Sequence, residues 1–287
     1  PFARRLEARY LSLGGSIRYR SRVERILEES DAARGVVLED GSEHRSDVVV
    51  SAADGHFTIF EALGGRYVDR RLRALYGGET LSPFPSLLLV SLGLARDLRG
   101  EPHLVRLPLE EPLRLPDGTE HEWLTYHLHG YDPTLAPEGK TAVSALFETR
   151  AHEYWTDLRS RDRDEYKGRK QEVIDRVVEL LDRRLGGIAE AVEVSDLATP
   201  ATVIRSTRNW RGSYQGWMPP RDLLGYKPPK KQLPGLAGFY MAGQWVEPGG
   251  GIPPSLRSGR DVAQIMCRRD GRPFRIAPPP RAHDSQM

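Results

Sequence analysis

The spacing of hydrophobic residues along the chain predicts several helices. The first begins at the start of the chain, where apolar residues recur every three to four positions until Gly14 and Gly15 end the helix. A charged segment over 163–185 has an apolar stripe at the same spacing, which predicts a long surface helix. Two shorter helices are predicted near 57–63 and 67–76. The apolar faces of the two longer helices consist of Phe2, Leu6, Tyr10 and Leu13, and of Ile174, Val177, Val178 and Leu181.

Shorter apolar runs predict strands in the first quarter of the chain. Residues 23–28 and 35–39 predict two strands joined by a turn, and Asp40-Gly41 then predicts a tight hairpin. Residues 48–50 are three consecutive valines, a pattern typical of a strand that is buried on both faces. The small residues at 51–53, before Asp54, would let another backbone or a ligand approach closely.

The middle of the chain has a different pattern, in which several strands accompany one long helix. The predicted strands are 86–94, 123–129, 141–147 and 192–196. Strands covered by a long helix predict an α+β layer that is distinct from the first segment. Residues 206–235 contain aromatic residues, glycines and prolines without a clear period, which predicts a long, ordered loop of the kind that usually has a function.

The segment 238–266 combines a short apolar strand, a glycine-rich loop and a helix that proline residues open. Pro253 and Pro254 suit the first helical turn, where a missing N–H has no cost. Glycine backbone at a helix N-terminus offers free N–H groups to an anionic or carbonyl-rich ligand. The alternative interpretation is an ordinary strand–turn–helix corner.

Composition excludes several classes of protein. The chain has 287 residues, of which 39% are hydrophobic and 29% are charged, and its net charge is +2. Dense basic runs with interleaved aromatic residues are absent from the sequence, so nucleic acid is not an expected partner. Cys267 is the only cysteine, which excludes an internal disulfide and a cysteine-based zinc site. The sequence has no signal peptide and no bilayer-spanning apolar run, so we expect a cytoplasmic setting and leave a peripheral membrane association open.

Few side chains stand out as catalytic candidates, and the catalytic residues stay unassigned. His127 and His129 point the same way on a predicted strand, yet without a third ligand they are better explained as a hydrogen-bonding pair than as a metal site. Trp210, Tyr214 and Trp217 could form an aromatic wall for a lipophilic substrate or could anchor the loop to the core. Neither Asp54 nor Glu247 is paired with a base that the sequence reveals. Because no Ser-His-Asp or paired-carboxylate arrangement is present, a hydrolase is not favoured.

Four segments of the sequence resemble a known family of flavoproteins. They are residues 14–51, the DPTLAPEGK segment at 132–140, the segment from TPAT to GSYQG at 199–216, and the closing segment at 238–259. Together they resemble the C-terminal portion of the FAD-dependent oxidoreductases of the phytoene desaturase, carotenoid isomerase and retinol saturase group, within the amine-oxidase-like flavoprotein superfamily. The order and spacing of the four segments make this resemblance fairly specific.

The resemblance implies a role for each of nine residues in binding FAD without a covalent bond. Val23 would contact the adenine through its backbone, and Ala52 and Ala53 would line the dinucleotide channel. Gly243 and Gln244 would approach the pyrophosphate and the ribityl chain. The residues that would lie against the flavin are Gly250, Gly251, Ile252 and Pro253. The dipole of the helix N-terminus would stabilise negative charge at the pyrimidine edge of the flavin.

The sequence departs from the family pattern in one important respect. The family opens with a strand, a GxGxxG turn and a helix, and this sequence contains no GxGxxG. Without that turn the pyrophosphate loses its main backbone cradle, so we expect the isolated chain to bind FAD weakly or not at all and to be inactive. The start within an amphipathic helix predicts that an upstream segment, or a separate chain, supplies the glycine-rich turn.

These observations predict an α/β (α+β) protein of two domains. An incomplete Rossmann-like FAD domain is expected over 1–80 and 236–270, and a substrate domain with a mixed, helix-covered sheet over 81–235. Residues 271–287 are predicted to be a flexible tail. The function implied by the resemblance is FAD-dependent desaturation, saturation or isomerisation of a polyene or isoprenoid. The alternative is a non-catalytic protein of the same architecture that binds lipids, isoprenoids or prenylated proteins.

Overall fold

A computed structural model describes residues 2–220 and 227–276. The helices are α1 (Phe2–Ser12), α2 (Arg70–Tyr76), α3 (His152–Arg161), α4 (Arg163–Leu185), α5 (Ile188–Ala191), α6 (Pro200–Thr207) and α7 (Ile252–Arg269), with a π-helix over Phe57–Ala62 and a 3₁₀ turn over Trp210–Gly212. The strands are β1 (Val23–Glu29), β2 (Ala32–Leu38), β3 (Glu43–Arg45), β4 (Val49–Ser51), β5 (Ser86–Leu94), β6 (Leu104–Arg114), β7 (Glu120–Leu128), β8 (Thr141–Thr149), β9 (Val192–Ala198) and β10 (Phe239–Met241).

The middle of the chain forms a five-stranded sheet in the order β6-β7-β8-β5-β9. Alternate residues of its strands face α3 and α4 and form the largest core, in which Leu124, Phe147 and Val177 are almost fully buried. The predicted α/β class is confirmed, with one correction in the sheet. Every pairing in it is antiparallel, whereas a mixed sheet was predicted, because β6, β7 and β8 follow one another through turns that reverse the chain.

The two ends of the chain meet in a smaller layer. Strand β10 pairs in parallel with β4, and β1, β2 and β3 form an antiparallel sheet beside them. A second core joins Ile26, Ile59 and Phe239 from these segments. The two cores agree with the predicted division into a discontinuous domain and a central domain, which stays a prediction.

Two predictions for individual segments require correction. Val50 is 45% exposed, although burial on both faces was predicted for residues 48–50. The reason is that β4 belongs to a two-stranded sheet, in which Val49 packs against the second core and the next residue, Val50, points to the opposite face. The predicted loop at 206–235 begins with the last residues of α6 and the 3₁₀ turn. Its residues 221–226 lie outside the described part of the chain, as do residues 277–287 of the predicted flexible tail.

Candidate functional site

The parallel pair β4 and β10 sets the position of the site. Parallel strands end at the same edge of a sheet, so Ala52, which follows β4, lies beside Ala242 and Gly243, which follow β10. The Ala242 amide donates to the Ser51 carbonyl at 2.9 Å. The Gly243 amide donates to Oγ of the buried Ser258 on α7 at 2.6 Å, which draws the helix toward the strand ends. This arrangement leaves small residues and backbone at the edge of the sheet.

An open crevice of about 880 Å³ begins at this edge. Part of α1 and the first turns of α7 form its apolar wall, where Phe2, Leu6 and Leu256 are exposed. Six of the nine predicted cofactor residues line the crevice, namely Ala52, Ala53, Gly243, Gln244, Gly251 and Ile252. The other three, Val23 at the start of β1, Gly250 and Pro253, are not among the residues that line it. The cofactor role of all nine stays a prediction.

The start of α7 presents free backbone amides beside this crevice. Gly251 is the N-cap and no side chain caps the helix there, whereas the Gly249 amide is held by the Trp217 carbonyl at 3.1 Å. Among the described residues, no hydrogen bond satisfies the N–H groups of Gly250, Gly251 and Ile252. Gly250 is partly covered, because the Gln215 side chain occupies the space that a Cβ at Gly250 would need. At Gly251 a Cβ would meet nothing nearer than Pro253 Cδ at 3.9 Å, so this amide stands at the open crevice.

Asp54 connects the wall of the crevice to the central part of the chain. Its side chain is only 3% exposed, and its carboxylate accepts hydrogen bonds from the backbone N–H of Phe57 at 2.7 Å and of Trp210 at 2.8 Å. Burial raises the pKa of Asp54, while the two hydrogen bonds and the nearby His56 act in the opposite direction. These contacts give Asp54 a structural role that its sequence context does not reveal.

The raised pKa of Asp54 predicts a pH-dependent contribution to stability. The folded protein binds a proton at Asp54 more tightly than the unfolded chain does, so the contribution is largest below the unfolded pKa of about 3.9 and falls as the pH rises through the folded pKa. Asp54→Asn cannot titrate. We expect the wild-type free energy of unfolding, relative to that of Asp54→Asn, to decrease as the pH rises, as measured by chemical denaturation between about pH 4 and pH 7. If the difference in the free energy of unfolding between the two proteins did not change with pH, the raised pKa of Asp54 would be contradicted.

The three predicted substrate residues lie in different surroundings. Tyr214 lines the crevice, and its hydroxyl donates to Glu148 Oε1 at 2.8 Å. Trp210 stacks on His56 with ring centroids 5.4 Å apart and belongs to an aromatic cluster with the fully buried Trp217, which favours the anchoring interpretation for both tryptophans. His127 on β7 stacks on His129, which follows the strand, and His127 is not among the residues that line the crevice. Only Tyr214 of the three is therefore placed at the crevice.

Sequence reasoning missed two amide side chains at the crevice. Asn209 and Gln215 both line it, and Asn209 Oδ1 accepts a hydrogen bond from Gln244 Nε2 at 3.3 Å. The available signals were their position in an irregular segment with aromatic residues and in the segment 199–216 that resembles the flavoprotein family. Within residues 2–220 and 227–276, no three His, Cys, Asp or Glu side chains converge in a way that could hold a metal ion. Among the helices of these residues, none combines the length and apolar character needed to cross a bilayer.

The family to which the chain is similar can now be stated. Residues 1–267 match the family described as flavin containing amine oxidoreductase. The chain belongs to this family. The flavin that the description names agrees with the resemblance found in the sequence.

Two curated relatives narrow the comparison within the amine oxidoreductase family. The chain is 25% identical over 268 residues to a 4,4'-diapophytoene desaturase (4,4'-diapolycopene-forming) from Methylomonas sp, covering 89% of this chain and 50% of the relative. It is 26% identical over 278 residues to a phytoene desaturase (neurosporene-forming) from Cereibacter sphaeroides, covering 91% and 52%. The resemblance to the phytoene desaturase group is thereby confirmed, and the non-catalytic alternative is not favoured. The chain spans about half the length of the curated relatives it matches.

Solved structures show the same fold. An oxidoreductase from Methanosarcina mazei superposes with a TM-score of 0.53 at 20% identity, covering 91% of this chain and 52% of the other. A putrescine oxidase bound to putrescine superposes with a TM-score of 0.53 at 13% identity, covering 86% and 48%. These likenesses support the fold of the amine oxidoreductase family in this chain.

The residues at the crevice fit part of a flavin dinucleotide. Small side chains at Ala52, Ala53 and Gly243 leave the backbone accessible, and the free amides at the start of α7 are donors of the kind that carbonyl oxygens and anions accept. The site is open on one side, as its volume and its exposed apolar wall indicate.

Proposed function

We propose that this chain supplies part of an FAD-dependent oxidoreductase that desaturates, saturates or isomerises an apolar polyene or isoprenoid substrate. The observation that carries the proposal is the crevice at the ends of β4 and β10, with free backbone amides at the start of α7. The names of the curated relatives support the substrate class. Because a polyene dissolves in lipid and not in water, the proposal includes a peripheral membrane association.

In this proposal each part of the chain has a defined task. FAD, when bound, would supply the redox chemistry of the reaction. The amides of Gly251 and Ile252 would donate hydrogen bonds toward the crevice, and the positive end of the α7 dipole would stabilise negative charge there. The domain over 81–235, with Tyr214 at its border with the crevice, would hold the substrate. Desaturation would remove a hydride from one carbon and a proton from its neighbour. Because the allylic cation left by hydride loss is strongly acidic, water or a weak side-chain base would suffice to accept that proton.

The proposed site is completed by a glycine-rich segment that this sequence lacks. A GxGxxG turn normally holds the pyrophosphate through backbone amides and a helix N-terminus. The isolated chain is therefore expected to bind FAD weakly or not at all. An upstream segment or a separate chain that carries the turn would cover the open side of the crevice.

The test uses a complete protein that contains both this chain and a GxGxxG segment. We expect the purified protein to show the visible absorption bands of oxidised flavin. An isoprenoid polyene added without oxygen should bleach these bands if the reaction is desaturation, should restore them in the chemically reduced protein if it is saturation, and should be recovered as a different isomer if it is isomerisation. FAD at about 100 times its Kd should add about 2.7 kcal/mol to the free energy of unfolding and raise the Tm. A colourless protein whose Tm does not respond to FAD would overturn the cofactor claim. A flavin protein that gives none of the three results with any polyene or isoprenoid would overturn the substrate class.

A further inference from the structure

Four charged side chains around Glu247 form a network of ion pairs, here called the Glu247 cluster. Its members are Lys231, Glu247, Arg257 and Asp261. Glu247 is 8% exposed, and its Oε2 lies 2.9 Å from Lys231 Nζ, while Oε1 contacts the Arg257 guanidinium. Lys231 Nζ also lies 3.3 Å from Asp261 Oδ2. Sequence reasoning found no partner for Glu247, since its partners are 16 residues before it and 10 residues after it.

The Glu247 cluster connects three segments that meet at the crevice. Lys231 is fixed by its backbone as well, because its carbonyl accepts the Met241 N–H at 2.8 Å at the end of β10. Arg257 and Asp261 belong to the first half of α7. A buried ion pair is a poor source of net stability, since removing two charges from water costs about as much as their attraction returns. The best-supported use of such a cluster is to select one geometry.

The segment that follows Glu247 needs such a constraint. Gly249, Gly250 and Gly251 have φ angles of 114°, 68° and 84°, and glycine has the largest backbone freedom to lose on folding. The hydrogen bond from the Gly249 amide to Trp217 is the one backbone contact that holds these three amides among the described residues. The ion pairs of Glu247 fix the chain two residues before Gly249.

We propose that Glu247 is a positioning residue, which acts through Lys231 and Arg257 to aim the amides of Gly251 and Ile252 at the crevice. The inference rests on the proposed function for the identity of the ligand, but the order that it ascribes to the loop is a property of the chain itself. Glu247→Gln keeps the shape of the side chain and removes the charge, which leaves the ammonium of the buried Lys231 with weaker partners.

The first experiment measures amide hydrogen exchange and needs no cofactor. In Glu247→Gln we expect exchange of the Gly249 N–H to accelerate about tenfold, with exchange in β7 and β8 unchanged, since only the loop loses its constraint. Gly249 is the readout because, among the described residues, its N–H is the one in 248–252 that is hydrogen-bonded and can lose protection. The matched control is Glu193→Gln, which removes the same charge from an exposed pair with Lys140 at 2.6 Å. We expect no change at Gly249 in the control. Unaltered exchange of the Gly249 N–H in folded Glu247→Gln would overturn the proposal, whatever the complete protein binds.

The second experiment separates positioning from stability in the complete, flavin-loaded protein. We expect Glu247→Gln to weaken FAD binding about tenfold to a hundredfold, the range found when residues that orient ligands of a bound group are changed, and to shift the visible flavin spectrum. In Glu247→Gln the buried ammonium of Lys231 keeps Asp261 as its one carboxylate partner in the cluster. The double variant Glu247→Gln, Lys231→Met removes that ammonium and should recover the Tm, but not the FAD affinity or the spectrum. If affinity and spectrum recover together with the Tm, the cluster serves stability alone. If the protein binds no FAD, the proposed function fails while the exchange result stands.

Discussion

Replacing Gly251 with valine is expected to weaken FAD binding to the complete protein by about 100-fold or more, which corresponds to about 2.7 kcal/mol. Gly251 has a φ of 84°, a conformation that a β-branched residue adopts only with strain. The new side chain would also stand at the open crevice, where a Cβ meets nothing nearer than 3.9 Å. Strain would turn the amides at the start of α7, and the isopropyl group would crowd their ligand. Equilibrium dialysis with FAD and the flavin content of the purified protein measure the effect.

The chain offers a matched control for the strain in this substitution. Gly118, in the turn between β6 and β7, has a φ of 80°, and a Cβ there would meet nothing within 4 Å. Gly118→Val should therefore lower the free energy of unfolding by about 1–3 kcal/mol, as Gly251→Val should, yet leave FAD affinity unchanged. Wild-type flavin content in Gly251→Val would remove the loop from the cofactor site.

Long periodic segments were predicted well from the sequence. The helix predicted over 163–185 has those bounds in the structure, and the strand predicted over 86–94 is β5. In α4 the stripe residues Ile174, Val177 and Leu181 are buried, since a surface helix must cover its apolar face. The prediction that alternate residues of 123–129 lie on opposite faces of a strand is also confirmed for β7, in which Leu124, Tyr126 and Leu128 are buried. In these segments local pattern and tertiary packing agree.

Elements whose local pattern is weak were missed. Strand β6 contains Pro108 and Pro112, which cannot donate to a sheet, and it is accommodated because β6 is an edge strand. Helix α3 has few apolar residues, and helix α6 is short with β-branched residues that favour strands. The start of α6 did carry a readable signal, because Thr199 and Thr202 form a capping box just before and after Pro200.

The candidate site was predictable only where it is local in sequence. The strand–loop–helix at 238–266 follows from glycine and proline placement, and six of the nine residues that the family resemblance implied line one crevice. Asn209 and Gln215 reach that crevice from another part of the chain. The hydrogen-bonding and ion-pair partners of Glu247 and Asp54 could not be predicted either, since the sequence around a carboxylate does not reveal which distant groups will surround it. Side-chain contacts between segments far apart in sequence need the fold.

Replacing Asp54 with alanine is expected to lower the free energy of unfolding by about 3 kcal/mol, because two buried N–H groups lose a charged acceptor. One of the lost bonds caps the π-helix at Phe57, and the other holds Trp210, 156 residues away in sequence. The second bond joins the wall of the crevice to the aromatic cluster around Trp210 and Trp217. Loss of both bonds should therefore loosen the crevice as well as the fold. Urea denaturation measures the first effect, and the tryptophan emission maximum under native conditions reports the second.

The suitable comparison is Asp69→Ala. Asp69 accepts the Leu72 N–H at 2.8 Å as the N-cap of α2, so it has the capping role of Asp54 without the long-range bond. Replacing Asp69 with alanine should lower the free energy of unfolding by about 1 kcal/mol and leave the tryptophan emission maximum unchanged. The amount by which Asp54→Ala lowers the free energy of unfolding beyond Asp69→Ala then measures the hydrogen bond to Trp210 together with the deeper burial of Asp54. If the two variants lose equal stability, Asp54 is only a helix cap and the crevice wall must be held by the aromatic contacts of Trp210 instead.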